Sequence, residues 1–250
     1  MTDVKARVRK HYECAVAHYG EAAVLGVFHY GSWNYGTNLP DSDVDTKCIL
    51  VPDLFHLAIK PYEVKHLHVD DEVCECMTIM HMVQNWKKQN INFVEILFTD
   101  YYIINPLYQD IWATRFNAEN REAIARYDIK AAVLSMSYQA INTLKQDPND
   151  LKKIMNGARI ANSLAHLVTD PQASYKDIIR ANETVAKIRT GETSTPDGFI
   201  AGLTCFFEGM IDRAKEGEFD SDKQKRENIE YFLNDAILDI IGERLERIGC

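Results

Sequence analysis

Apolar residues recur at helical spacing from Asp3 to Tyr19, at Val4, Val8, Tyr12, Ala15 and Tyr19, and predict a helix that Gly20 ends. The pattern then changes to short runs rich in branched and aromatic residues. Residues 23–30 (AVLGVFHY) stop at Gly31-Ser32, residues 44–51 (VDTKCILV) stop at Pro52, and each predicts a strand. Residues 72–77 (EVCECM) predict a third. After Thr78, a capping residue, helical spacing returns in IMHMVQNWKK and NFVEILF.

Beyond residue 117 long helical periods dominate, at 119–146, 149–168, 174–188, 196–215 and 221–248. Asp147-Pro148, Asp170-Pro171 and the run from Gly191 to Pro196 separate them, with Thr195 expected to cap a helix that starts on Pro196. The expectation is an α+β fold: a small mixed-sheet domain over residues 1–116 and an all-helical domain over 117–250. No internal repeat or low-complexity tract interrupts it.

Composition narrows the class. With 250 residues and 46% hydrophobic content the chain can bury its own core. It has no apolar run of about eighteen residues and no signal-peptide pattern, so a cytoplasmic protein with no membrane partner is expected. The six cysteines (Cys14, Cys48, Cys74, Cys76, Cys205 and Cys250) lack Cys-x-x-Cys or zinc spacing and are expected to be reduced, buried thiols. A net charge of −9 disfavours general adhesion to polyanions. Between residues 151 and 189, however, Lys152, Lys153, Arg159, Lys176, Arg180, Lys187 and Arg189 outnumber Asp170, Asp177 and Glu183. An anionic ligand could dock there, although such charges commonly line solvated helix faces.

The stretch HYGSWNYGTNLPDSDVDTKCILV carries the chemistry. On a strand Asp43 and Asp45 would share a face, and adjacent carboxylates repel unless a cation lies between them; Mg²⁺ suits two such oxygens, with phosphate and water completing its shell. Gly31 allows close backbone approach, and Ser32 opening a short helix would turn amide N–H groups toward an anion such as phosphate.

Gly31, Ser32, Tyr35, Gly36, Pro40, Asp41, Ser42, Asp43 and Asp45 follow the order G-S-x-x-Y-G-x-x-x-P-D-S-D-x-D, which resembles the DNA polymerase β-like nucleotidyltransferase superfamily, and within it the predicted nucleotidyltransferases of bacteria and their phages. NINFVEILF, KKIMNGARIANSL and IRTGE resemble later segments of that branch, so the similarity spans residues 23–192. Trp33 stands where the branch often has a basic residue, and Asn92-Phe93 replaces Asn-Pro.

The resemblance implies a nucleoside triphosphate bound by Gly31, Ser32 and Ser42, with Lys153 and Arg159 of the basic helix reaching its phosphates. It also implies a third acidic ligand on a later strand. Glu75, a carboxylate in an otherwise apolar run, is the first choice and Glu72, beside Asp70 and Asp71 in what reads as a solvated turn, the fallback. Glu95 is expected to hold its helix against the sheet, and His66 and His68 to be solvated loop residues rather than metal ligands.

The implied reaction is attack of an acceptor hydroxyl on the α-phosphate, with pyrophosphate released and Mg²⁺ or Mn²⁺ held by Asp43, Asp45 and Glu75. The implied setting is the cytosol of a bacterium or phage-infected cell. The acceptor is open: RNA, a protein hydroxyl or a small molecule. Two rivals remain at this level, a catalytically silent nucleotide-binding module and an RNA-end-modifying enzyme, the second marked by salt-dependent RNA affinity.

Overall fold

The computed structural model describes residues 3–60 and 62–247. Five strands, β1 (Val24–His29), β2 (Thr46–Leu50), β3 (Lys65–Val69), β4 (Glu72–Thr78) and β5 (Tyr102–Ile104), form one mixed sheet in the order β3-β4-β2-β1-β5. β2 and β4 are parallel and the other pairs antiparallel. In chain order the helices are α1 (Val4–Tyr19), α2 (Ser32–Tyr35), α3 (Leu54–Ala58), α4 (Ile79–Lys87), α5 (Ile91–Val94), α6 (Gln109–Arg115) and α7 (Ala118–Ala125). They continue as α8 (Ile129–Gln146), α9 (Leu151–Thr169), α10 (Tyr175–Ile178), α11 (Glu183–Thr190), α12 (Phe199–Lys215) and α13 (Lys223–Arg247). The architecture is therefore α+β, a mixed sheet followed by an all-helical region.

The two sheet faces serve different partners. Val4, Val8 and Ala15 of α1 cover one face, against Val27, Cys48 and Cys74. The opposite face, with Leu25, Phe28, Ile49 and Met77, joins a core that runs through Trp86 of α4, Met136 of α8 and Phe207 of α12 to Leu233 of α13. An irregularity in β1 between Val24 and Gly26 shifts the alternation, which is how Val24 and Val27 reach the α1 face while Leu25 and Phe28 reach the other. Residue 26 is glycine because a Cβ there would lie 2.6 Å from the Ile103 carbonyl oxygen.

α8 and α9 pack closely because Gly157 has no side chain; a Cβ at that position would lie 2.9 Å from Leu144 Cδ2. At the far end of the chain, Arg244 of α13 donates to the Val51 carbonyl and lies 3.2 Å from Asp53 Oδ2, tying the last helix to the end of β2.

Several boundaries differ from expectation. The predicted helix over 119–146 breaks at Arg126–Tyr127, and Asp128 caps a new start by accepting from the Ala131 amide at 3.0 Å. The predicted helix over 174–188 divides into α10 and α11, with Asn182 capping the second through the Val185 amide. α12 begins at Phe199 after Gly198, whose φ of +78° is left-handed, so Thr195 and Pro196 precede the helix instead of opening it.

His66 and His68 lie on β3, an edge strand, and are solvent-exposed as expected although not in a loop. Of the described cysteines, Cys48, Cys74 and Cys76 are buried, Cys14 is half-buried, Cys205 is exposed, and all are free thiols. Cys250 and the predicted end of the last helix at Ile248 lie outside the described residues. No helix among the described residues is long and apolar enough to cross a membrane.

Candidate functional site

A cavity of about 370 Å³ opens between the sheet and the helices α8 and α9. Gly31, Ser32, Asp43 and Asp45 line its sheet side, and Lys152 and Arg159 its helical side.

The Gly31–Ser32 turn follows β1 directly. Gly31 has φ +100°, a left-handed conformation that disfavours any side chain, and Ser32 begins α2, which closes at Gly36 with φ +72°. Asn34 fixes the turn from below. Its amide donates to the His29 carbonyl at 3.1 Å, and its Oδ1 accepts from the Thr99 hydroxyl at 2.7 Å. His29 beside it is buried, and burial pulls its pKa down to about 4, so the imidazole is neutral at physiological pH.

Asp43 and Asp45 precede β2, in the segment that leads into the strand rather than on the strand itself. Alternation nevertheless holds: Val44 is buried between the exposed Asp43 and the half-buried Asp45. Burial is the first cause that raises the Asp45 pKa and the Asp43 charge the second, while Lys152 across the cavity opposes them.

Glu72 holds this segment from behind. Only 8% exposed, it accepts from the Val44 amide at 2.7 Å, pairs with Arg7, and lies 3.2 Å from His11 Nε2. Arg7 also donates to the Ser42 carbonyl, and His11 Nδ1 meets the Thr46 hydroxyl at 2.7 Å. The expected turn is present at Asp70–Asp71, but Glu72 itself starts β4 and is held in a buried network anchored on α1 instead of being solvated.

Glu75 is not brought to the cavity. Its register partner on β2 is Lys47, and the two side chains form an ion pair. Lys47 is 2% exposed, and its ammonium also faces the Tyr30 ring at 4.1 Å and the Phe93 ring at 4.2 Å. Among the described residues no three His, Cys, Asp or Glu side chains converge as a metal centre. Asp43 and Asp45, both lining the cavity and one of them desolvated, fit a divalent cation that draws its remaining ligands from phosphate and water. Glu75 is paired with Lys47 and is not among the residues that line the cavity.

The nucleotide-binding expectations divide. Ser42 lines the cavity, but its hydroxyl accepts from the Leu39 amide at 2.8 Å and lies 3.3 Å from Arg189 Nη2, so it serves the loop. Arg189 also donates to the Thr37 carbonyl, and the Ala181 amide donates to the Tyr35 carbonyl at 2.9 Å; the segment around α11 thereby straps the loop between the two halves of the motif.

Lys153 does not line the cavity, whereas Lys152 does. α9 starts at Leu151, and Lys152, Asn156 and Arg159 follow at i, i+4 and i+7 on the stripe that faces inward. That spacing, counted back from Arg159, is the signal that would have found Lys152. The neutral side chains Asn92 and Gln139, with Gln139 Nε2 donating to Asn92 Oδ1 at 3.3 Å, also line the helical side; Asn92 lies in the NINFVEILF segment, and Gln139 had no sequence signal.

Arg159 is 2% exposed and stacks on the Tyr35 ring at 3.6 Å. Its Nε and Nη1 have no hydrogen-bond partner among the described residues. Beneath the Gly31–Ser32 turn lies Glu95, fully buried. The Tyr35 hydroxyl and the Gly31 amide approach its carboxylate, but neither meets it at full hydrogen-bonding geometry. Burial pushes its pKa up to about 7 against the opposing pull of Tyr35, Arg159, Lys47 and Gly31.

Comparison with known protein-family models and with curated proteins finds no match. The chemistry of the site rests on its own residues.

Proposed function

We propose that the chain is a nucleotidyltransferase that binds a nucleoside triphosphate with Mg²⁺ and transfers its nucleoside monophosphate to an acceptor hydroxyl, releasing pyrophosphate. One observation carries the reading: a glycine–serine turn, a pair of carboxylates and a buried arginine with unpartnered donors all face a single cavity. Each element alone is common. Their convergence supplies anion donors on one side and hard oxygen ligands on the other, which is the complement of a metal-chelated polyphosphate.

In this reading the Gly31 backbone and the Ser32 hydroxyl contact phosphate oxygens, and Arg159, held flat by Tyr35, presents its guanidinium to the same chain of phosphates. Lys152 faces Asp45 across the cavity and offsets charge near the acidic pair. A bound Mg²⁺, held by Asp43 and Asp45, would supply electrophilic stabilisation of the phosphate oxygens. Glu72, Arg7 and His11 keep the carboxylates in register, so their separation is set before ligand arrives.

The test is incubation with each α-labelled nucleoside triphosphate and Mg²⁺ or Mn²⁺ in a cell lysate, followed by separation of labelled RNA, protein and small molecules. Label that appears in an acceptor fraction for the wild type and not for Asp45→Asn supports transfer. Its absence with every nucleotide counts against it.

The Lys47–Glu75 pair favours a second reading, nucleotide binding without turnover, because it removes the third carboxylate from the cavity. Nucleotide-dependent thermal stabilisation with no labelled product in any fraction would mark that outcome.

A further inference from the structure

Two buried charged side chains, Arg159 in the cavity wall and Glu95 beneath the Gly31–Ser32 turn, are poorly compensated. Arg159 leaves Nε and Nη1 without partners, and Glu95 leaves both carboxylate oxygens without a donor at full geometry, although both residues are almost completely inaccessible to water. An ionised carboxylate in that position is costly, and so is a bare guanidinium.

The groups that face Glu95 are few. Tyr30 follows β1, Tyr35 lies on α2, Lys47 on β2, Arg159 on α9 and Tyr175 on α10. The three tyrosines are held neutral, since burial raises each of their pKa values. Lys47 is committed to Glu75. Among these groups Glu95 is the acid that can exchange a proton against the charge of Arg159.

We infer that Glu95 is a proton-binding counter-ion of Arg159, so that an oxyanion entering the cavity is bound together with a proton taken up by Glu95. The anion and the Glu95 carboxylate compete for one guanidinium. Ligand charge near Arg159 disfavours ionised Glu95, the acid takes up a proton, and the ligand keeps the cation to itself. The carboxyl already titrates near neutrality, so the coupling falls within the physiological range. Glu95 is thereby a positioning residue: it acts on the ligand through Arg159 and the Gly31 amide. The inference rests on the anion-binding half of the proposed function and is independent of whether transfer occurs.

Inorganic sulfate is the probe, because it stays doubly charged throughout the pH range and the proton balance belongs to the protein. Calorimetric titration of the full chain in two buffers of different ionisation enthalpy, near about pH 7.5, should show uptake of roughly half a proton per sulfate. Sulfate affinity should fall by up to about tenfold per pH unit as the pH rises above about 7. Glu95→Gln should still bind sulfate, with no proton uptake and a flat pH profile.

Should that variant fail to fold, the wild type answers alone. Infrared difference spectra, with isotopically labelled glutamate assigning the band, should gain a protonated glutamate carboxyl on adding sulfate. Sulfate binding without proton uptake, or an unchanged pH profile in Glu95→Gln, overturns the inference and leaves the nucleotide reading standing. Failure to bind either sulfate or nucleoside triphosphate overturns both.

Discussion

The region behind Asp43 and Asp45 and the region beneath the Gly31–Ser32 turn each bury a glutamate, and the two are kept very differently. Glu72 accepts from an amide and pairs with a guanidinium, with the His11 imidazole 3.2 Å away, all from elements that converge on the Asp43–Asp45 segment. Glu95 has a guanidinium nearby and no donor at full geometry. The first arrangement fixes a backbone, because moving it would leave several buried groups unpaired at once. The second leaves a charge free to respond to what arrives. A binding site needs both, a wall that does not move and a floor that adjusts.

The sharpest separation of the two regions comes from Asp45→Asn, which removes charge from the cavity without touching either glutamate. Transfer of label from a nucleoside triphosphate should fall on the order of 10³-fold, while scanning calorimetry in metal-free buffer finds a melting temperature equal to or above wild type. A lowered melting temperature would mean that Asp45 contributes to the fold rather than to a ligand.

Next in size is the loss of the well-kept acid. Glu72→Ala leaves Arg7 and the Val44 amide without their partner and should cost about 3–4 kcal/mol in chemical denaturation, in line with breaking a largely buried ion pair. Glu72→Gln preserves an acceptor for Val44 and should lose less than half of that. Equal losses in the two variants would mean that the charge of Arg7, and not the amide contact, dominates.

Glu95 should give a pH signature that Glu72 does not. Its folded-state pKa, about 7, lies above its ordinary 4.5, so the stability it contributes is complete below about pH 4.5 and is lost as the pH rises through about 7. The total is about 3 kcal/mol at most, converting the shift at 1.36 kcal/mol per unit. His29 works in the opposite direction: with its pKa lowered from 6.5 to about 4, its contribution is present above pH 6.5 and lost as the pH falls toward 4. Denaturation of Glu95→Gln across this range should therefore reveal a stability that rises with pH where the wild type is nearly level. A wild-type slope retained in the variant would remove Glu95 as its source.

The smallest effect separates two adjacent lysines. Lys152→Ala should weaken nucleoside triphosphate binding by roughly fivefold, about 1 kcal/mol for an exposed charge, and Lys153→Ala should leave it unchanged. Isothermal titration of both variants decides which face of α9 the ligand meets.

How much of this was legible in the sequence depends on what each element uses to hold itself in place. β1, β2 and β4 carry apolar runs and were readable. β3 is an edge strand whose residues, Lys65 and His66 among them, are mostly exposed, so no hydrophobic period marks it; β5 is three residues long. Gly31, Ser32, Asp43 and Asp45 lie close in sequence and were found together. The pairing of Glu75 was not legible because its partner Lys47 is twenty-eight residues away and meets it only through strand pairing. That Lys152 and not Lys153 lines the cavity was not legible, because helix phase depends on where α9 begins, and Asp150 starts it by accepting from the Lys152 and Lys153 amides.

Gly157 touches neither the turn nor the aspartates, yet it acts as a gauge for the aperture. Any side chain there must push against the end of Leu144, and whatever Leu144 does not yield separates α8 from α9. Since Lys152, Asn156 and Arg159 ride on α9, and Gln139 on α8, such a shift would widen the mouth and withdraw the guanidinium together. The caliber of the cavity is thus set on its dry side, by an atom that is not there.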